Sequence, residues 1–180
     1  MATAAVTVRI EPFDGGRNPT TVVDSSTGLP EEFRAAVFEV LAEQTGGIYG
    51  FPLLNVKITL VGGEVHETES TAIAFQIAAH DAFNKALAVG TTILEPIMKV
   101  EISTPEEHMG DFVSDINQRR GIITHTDSKS GLSLLEAEVP LSQLFGYSSA
   151  MRSLSQGRAT CTIAPKSYGP APPEVGEAFA

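Results

Sequence analysis

The stretch Met98-Lys-Val-Glu-Ile-Ser-Thr-Pro-Glu-Glu107 passes from a strand pattern into the start of a helix. Apolar residues alternate with charged ones from Met98 to Ile102, which is typical of a half-buried strand. Thr104 and Glu107 have the spacing of a helix-capping box, in which two side chains bond to unpaired backbone N–H groups. The stretch therefore predicts a strand followed at once by a helix that begins after Thr104.

Downstream of this stretch, strand and helix patterns continue in a known order. They predict a helix up to residue 120 closed by Gly121 at the position after the cap, strands over residues 122–126 and 132–139, a helix over residues 141–155 and a strand over residues 158–163. The order β-α-β-β-α-β is that of a ferredoxin-like domain. This order places the last strand at a sheet edge, where Pro165 is tolerated although proline cannot donate to a central ladder.

The upstream residues predict a separate α/β domain. Strand patterns cover residues 6–10, 20–23 and 54–60, and helix patterns run from residue 30 to the Gly46-Gly47 pair and from residue 70 to 88. Residues 61–66 are interpreted as a loop or hairpin tip. The predicted fold class is α+β, with two α/β sandwich domains over residues 1–92 and 93–169. Residues 170–180 form a proline-rich tail that is expected to be extended or disordered.

The charge of the chain limits its nucleic-acid partners. The net charge of the 180 residues is −10, with 5 basic and 11 acidic residues before residue 93 and 7 basic and 11 acidic residues from there on. Nucleic-acid binding generally needs a basic surface, so any RNA contact must come from local clusters of cations. The sequence has no apolar run of ~20 residues and no signal-peptide pattern, which predicts a cytoplasmic protein without a membrane contact.

The sequence contains no motif for catalysis, cofactor binding or metal binding. The phosphate-binding motif G-x-x-x-x-G-K-[ST] is absent, so GTP binding is not expected. His66 and the acidic residues after it do not form the zinc motif H-E-x-x-H. Cys161 alternates with Ala159 and Ile163 as an apolar strand residue. The chain is therefore not expected to be an enzyme, and its central strands lack the aromatic residues on which an RNA-recognition sheet stacks bases.

Several motifs, in the right order, resemble those of one known family. The second half contains Leu94-Glu-Pro-Ile-Met98, Met109-Gly-Asp111, Arg119-Arg-Gly121, Leu144-Phe-Gly-Tyr147, Arg152-Ser153 and Gln156-Gly-Arg158. The first half contains Gly50-Phe-Pro52, Val56-Lys57, His66 and Ala74-Phe75. From about residue 6 to residue 168, the chain resembles the penultimate and last domains of bacterial-type translation elongation factor G.

The resemblance implies a fold, a function and partners. It implies a βαβ crossover of the ribosomal-protein type in the first domain and a ferredoxin-like second domain. It also implies the ribosome-binding part of a factor that helps to move tRNA and mRNA, with rRNA, tRNA and mRNA as partners. The GTPase domain of the family and the glycine-rich loop that precedes its first strand are expected to be absent from this chain. The chain is expected to act as a monomer without a cofactor.

Five residues in the matching motifs are the candidate ribosome or RNA contacts, namely His66, Arg119, Arg120, Arg152 and Arg158. For His66 the alternative is an ordinary exposed loop histidine. For the adjacent arginine pair it is a role at the helix C-terminus, where a cation contributes ~0.3–1 kcal/mol. For Arg158 it is an ion pair with Glu136 or Glu138. An alternative function also stays open, a protein-interaction module that keeps the fold without ribosomal activity, which the acidic surface favours.

Overall fold

The computed structural model describes residues 3–13, 20–43, 50–66 and 70–178. The chain divides into two compact units, Met1–Thr91 and Thr92–Ala178. Each unit has its own sheet and its own buried core. Within the described ranges, no helix is both long and apolar enough to cross a membrane.

The first unit is a three-stranded sheet with two helices. Its elements are β1 Ala4–Pro12, β2 Thr20–Asp24, α1 Glu31–Glu43, β3 Val56–Val65 and α2 Ala72–Leu87. The strand order is β1-β3-β2, with β1 antiparallel and β2 parallel to the central β3. Because α1 connects two parallel neighbours, the predicted βαβ crossover is confirmed. The helix stop predicted at Gly46-Gly47 lies outside the described residues.

The core of the first unit joins both helices to the sheet. Phe33 of α1 and Phe75 of α2 stack with their ring centroids 4.6 Å apart. Phe83 of α2 and Ile58 and Leu60 of β3 are fully buried in the same core. Burying each such side chain is worth about 1.5–3 kcal/mol. The buried side of α2 therefore packs against the sheet.

The strand β3 is longer than the sequence predicted. It continues to Val65, whereas a loop or hairpin tip was expected at residues 61–66. At Gly63 an added Cβ would lie 2.7 Å from the carbonyl oxygen of Ala5, and the pairing of β3 with β1 contains a bulge nearby. Glycine serves here for close backbone approach inside a strand, so it does not mark a turn.

The second unit is a four-stranded antiparallel sheet with helices. Its elements are β4 Leu94–Pro105, α3 Met109–Gln118, β5 Ile122–Lys129, β6 Leu132–Pro140, α4 Tyr147–Ser155, β7 Thr160–Pro170 and α5 Pro173–Glu177. The strand order β5-β6-β4-β7 confirms the ferredoxin-like prediction. Phe112 and Ile116 of α3 are fully buried in one core with side chains of β4 and β6. The position of β7 at an edge agrees with Pro165.

The strand β4 runs past the predicted start of the helix. Thr104 lies inside β4, is fully buried and pairs with Ser133 of β6. A 3₁₀ turn, Glu106–His108, follows, and α3 begins only at Met109. The predicted capping box is wrong because pairing with β6 holds this stretch extended.

At the end of α3, Arg120 occupies the position after the helix cap, where a glycine was expected. Arg120 adopts the left-handed backbone conformation, with φ of 57°. The Gly121 N–H donates to the Ile116 carbonyl over 2.9 Å, and the Arg120 N–H donates to the Asn117 carbonyl over 3.2 Å, which is a Schellman motif. Gly121 is required for another reason, since an added Cβ would lie 2.6 Å from Cγ2 of Ile116 and 2.8 Å from its carbonyl oxygen.

The C-terminal residues are more ordered than the sequence predicted. β7 extends to Pro170, and α5 follows where an extended or disordered tail was expected. The Ala171 N–H donates to the Ile93 carbonyl over 2.9 Å, which ties the segment to the start of β4. Pro173 is the first residue of α5, a position that lacks an intrahelical N–H partner and therefore tolerates proline.

Candidate functional site

The second unit contains a long segment without acidic residues. Residues 141–173, called the acid-free segment below, carry Arg152, Arg158 and Lys166 but no Asp or Glu, in a chain with 22 acidic residues. The segment includes α4 and β7. The charge totals for residues 1–92 and 93–180 do not reveal this segment, whereas the charge summed over a short sliding window would reveal it. Its local charge is of the sign that phosphate groups require.

Arg152 is an exposed cation on α4. Ser148 and Ser149, one turn earlier on the helix, are also exposed, whereas Tyr147 and Leu154 contribute to the core. Within the described residues, Arg152 makes no ion pair and no side-chain hydrogen bond. Its guanidinium donors are therefore available to an external acceptor.

Arg158 is paired, but with a different carboxylate from the one predicted. Its Nη2 donates to Glu107 Oε1 over 2.5 Å and lies 2.8 Å from Nε2 of His108. The pairs predicted with Glu136 or Glu138 are wrong, because those carboxylates bind Lys99 and Lys166. The register of β7 on β4 explains the difference. It pairs residue 160 with residue 103, which leaves Arg158 beside the 3₁₀ turn.

Arg119 is tied into the fold by three groups. Its Nε donates to Asp115 Oδ2 over 2.8 Å, and its Nη1 donates to the Gln143 carbonyl over 2.6 Å. The guanidinium lies 4.8 Å from the centre of the Tyr147 ring, within cation–π range. Only 20% of the side chain is exposed. Arg119 therefore joins α3 to the loop that precedes α4.

Arg120 forms a two-point ion pair with a buried carboxylate. Its Nη1 and Nη2 donate to the two oxygens of Glu95 over 2.8 and 3.0 Å. Glu95 also accepts from the hydroxyl of Ser142 over 3.3 Å. The hydrogen bonds to Glu95 raise the pKa of Arg120. The pair links the start of β4 to the end of α3.

His66 is exposed at the end of β3. Its backbone N–H donates to Ser70 Oγ over 2.9 Å, and the Ser70 N–H returns a bond to the His66 carbonyl over 3.1 Å. The Ser70 hydroxyl donates in turn to the Thr3 carbonyl over 2.9 Å. These bonds fix the backbone at this end of β3, and the imidazole faces solvent. Residues 67–69 lie outside the described residues.

The outer face of the second sheet differs from the acid-free segment. Lys99 of β4 pairs with Glu101 and Glu136, and Lys166 of β7 pairs with Glu138. The bond to Glu101 raises the pKa of Lys99. With Lys99 and Lys166 engaged by carboxylates and no aromatic residue on β4 or β6, this face is poorly suited to bind RNA.

The described residues contain no group of three or more His, Cys, Asp or Glu side chains that could hold a metal ion. Cys161 is half-buried on β7, and burial raises the pKa of its thiol. A raised pKa disfavours the thiolate, which is the reactive form. Cys161 therefore acts as a small core residue in the structure.

Comparisons with known proteins assign both units. Residues 1–91 match the family model described as elongation factor G, domain IV, and residues 92–178 match the one described as elongation factor G C-terminus. An elongation factor G of Fervidobacterium nodosum is 41% identical over 177 residues, which are 96% of this chain and 26% of that protein. A crystal structure from Thermus thermophilus matches with a TM-score of 0.78 and 32% identity, over 97% of this chain and 26% of that chain. The chain thus spans about a quarter of the length of these relatives.

Proposed function

This chain belongs to the elongation factor G family, as its domain IV and C-terminal domain, and on that premise we propose that it binds the ribosome through the acid-free segment. The observation that carries the proposal is the exposed cation Arg152 on a segment of 33 residues without a carboxylate. In a protein of net charge −10, such a segment offers RNA phosphates an unpaired cation and adds no carboxylate of its own to repel them.

Arg158 supplies a second phosphate contact in this proposal. Half of its side chain is exposed, and so is 59% of its partner Glu107. Exposed ion pairs of this kind contribute only about 0–1 kcal/mol. A phosphate that forms two hydrogen bonds with the guanidinium can therefore displace Glu107 at little cost.

Arg119 and Arg120 support the site in this proposal, although the resemblance suggested them as RNA contacts. Their donors are directed to Asp115, Gln143 and Glu95, and breaking these bonds would loosen the fold. His66 remains a proposed contact to tRNA or mRNA at the decoding site, because it is exposed at the end of a strand whose backbone is fixed.

The proposal extends to the role of these two domains in a complete elongation factor G. These residues match domain IV and the C-terminal domain, and the GTPase domain of the family would couple GTP hydrolysis to the movement of tRNA and mRNA. We propose that the chain acts as a monomer in the cytoplasm, where ribosomes are found. Its contacts would then be made with rRNA by the second unit and with tRNA or mRNA by the first.

Salt-dependent cosedimentation with purified bacterial 70S ribosomes tests the proposal. Each phosphate contact releases counterions and contributes about one unit to the slope of log affinity against log salt. Arg152→Gln/Arg158→Gln should weaken binding and make the slope shallower by about two units. Lys85→Gln is the matched control, since Lys85 is an exposed cation of the first unit that pairs with Asp81, and it should leave the slope unchanged.

The same assay separates the second candidate function. The acid excess of residues 1–92 favours a protein-interaction module that has left the ribosome. A folded wild-type chain that does not pellet with ribosomes even at low salt would favour this module. An unchanged slope in the double arginine variant would show that the RNA contact lies outside the acid-free segment.

A further inference from the structure

Phe145 is the most exposed aromatic side chain among the described residues, at 81%. Its neighbours Leu144 and Tyr147 are buried, at 8% and 3%. Gly146 between them adopts the left-handed conformation with φ of 70°, which turns the chain into α4. The loop thus buries the two flanking side chains and leaves the phenyl ring in water, although burial of a Phe is favourable.

The loop that presents Phe145 is held on both sides. The Leu144 N–H donates to the Leu141 carbonyl over 3.0 Å, and the Tyr147 N–H donates to the Leu144 carbonyl over 3.1 Å. Arg119 binds the Gln143 carbonyl and covers the Tyr147 ring. A side chain on a loop that is already ordered loses less conformational entropy when it binds a partner.

The surroundings of Phe145 favour RNA over protein as the partner. The ring lies in the acid-free segment and precedes by one turn the exposed face of α4 that carries Ser148, Ser149 and Arg152. Hydroxyl groups and a guanidinium are donors for phosphate oxygens, and an aromatic ring stacks on unpaired bases. An apolar protein pocket would not require a segment without carboxylates.

We propose that Phe145 stacks on an unpaired base of ribosomal RNA, next to the phosphate contact made by Arg152. This inference rests on the proposed function and deepens it, because it adds an uncharged contact to the cationic ones. Stacking on one base should contribute about 5- to 150-fold to affinity. Since no counterion is released, it should contribute nothing to the salt slope.

Substitutions of Phe145 test stacking against simple apolar contact. In cosedimentation with purified 70S ribosomes, Phe145→Ala and Phe145→Leu should each lose about 5- to 150-fold in affinity at an unchanged salt slope. Phe145→Trp should retain affinity. Ile122→Ala is the matched control, because Ile122 is 68% exposed in the same unit but lies outside the acid-free segment, and it should bind like wild type. Circular dichroism melting curves check that every variant stays folded.

A fluorescence measurement gives a second readout. The chain contains no tryptophan, so Phe145→Trp introduces a single indole, and 5-hydroxytryptophan at this position can be excited apart from ribosomal tryptophan. Stacking on a base should quench its emission on ribosome binding, whereas the same label at Ile122 should not respond.

Three outcomes decide the inference. If Phe145→Leu binds like wild type and the label shifts to the blue without quenching, Phe145 enters an apolar protein pocket and the inference is wrong. Unchanged affinity of Phe145→Ala, with wild-type binding intact, overturns the inference alone. Absence of wild-type binding overturns the proposed function as well.

Discussion

The second unit carries two arginine pairs that the structure places in different surroundings. The inner pair, Arg119 and Arg120, follows α3, and both of its guanidinium groups are bound by groups of the same unit. The outer pair, Arg152 and Arg158, lies in the acid-free segment. Arg152 is exposed there, and Arg158 contacts an exposed carboxylate and a histidine. The difference shows that a basic dipeptide in a family motif can serve the fold, and the proposal therefore assigns the RNA contact to the outer pair.

The inner pair depends on the geometry at the end of α3. The substitution expected to reduce the stability of the second unit most is Gly121→Ala. The added Cβ would lie 2.8 Å from the Ile116 carbonyl oxygen and closer still to its Cγ2, so the backbone must shift. We expect a loss of about 3 kcal/mol in the stability of the second unit, measured by urea unfolding followed by circular dichroism. Gly110→Ala is the control, because nothing lies within 4 Å of its added Cβ. A loss below about 1 kcal/mol would show that this helix end is not closely packed.

Arg120→Ala should have the next largest effect. It leaves the carboxylate of Glu95, which is only 11% exposed, with the Ser142 hydroxyl as its remaining partner. We expect a loss of about 2 kcal/mol in urea unfolding, less than for a fully buried pair because solvent reaches the Arg120 side. Glu95→Gln/Arg120→Ala should recover part of the loss, since no charge is then left unpaired. If both variants lose the same amount, the ion pair is not the cause.

Glu107→Gln should have the smallest effect on stability and a measurable one on binding. It removes the carboxylate that competes with phosphate for Arg158, so ribosome affinity in cosedimentation should rise by a few fold. Stability should change by less than about 1 kcal/mol, because the pair is exposed. Glu106→Gln, at the neighbouring exposed position, is the control and should not change affinity. An affinity that falls in Glu107→Gln would mean that Glu107 positions Arg158 and does not compete for it.

Much of the fold could be predicted from local patterns. The alternation from Met98 to Ile102 and the order of the following elements predict the ferredoxin-like sheet, because each of these signals acts within a few residues. Pro165 is compatible with the edge strand that this order implies. The helix start after Thr104 could not be predicted correctly, since pairing of β4 with β6 overrides a local cap.

The site could be predicted only in part. The partner of Arg158 depends on the register of β7 on β4, and the contacts of Arg119 with Gln143 and Tyr147 join residues 24 and 28 apart in sequence, so both require the tertiary structure. The acid-free segment is different, because it is visible in the sequence and was concealed only by counting charge over long ranges. Phe145 gives no sequence signal that separates it from a core aromatic.

The salt dependence of ribosome binding, compared between the two arginine pairs, is the most direct test of where the RNA contact lies. Arg152→Gln/Arg158→Gln and Arg119→Gln/Arg120→Gln should be measured side by side with purified 70S ribosomes, at a temperature at which circular dichroism shows both variants folded. The outer-pair variant should lower the log–log slope by about two units, and the inner-pair variant should leave it at the wild-type value. A folded inner-pair variant with a lowered slope, beside an outer-pair variant with the wild-type slope, would contradict the assignment of RNA binding to the acid-free segment.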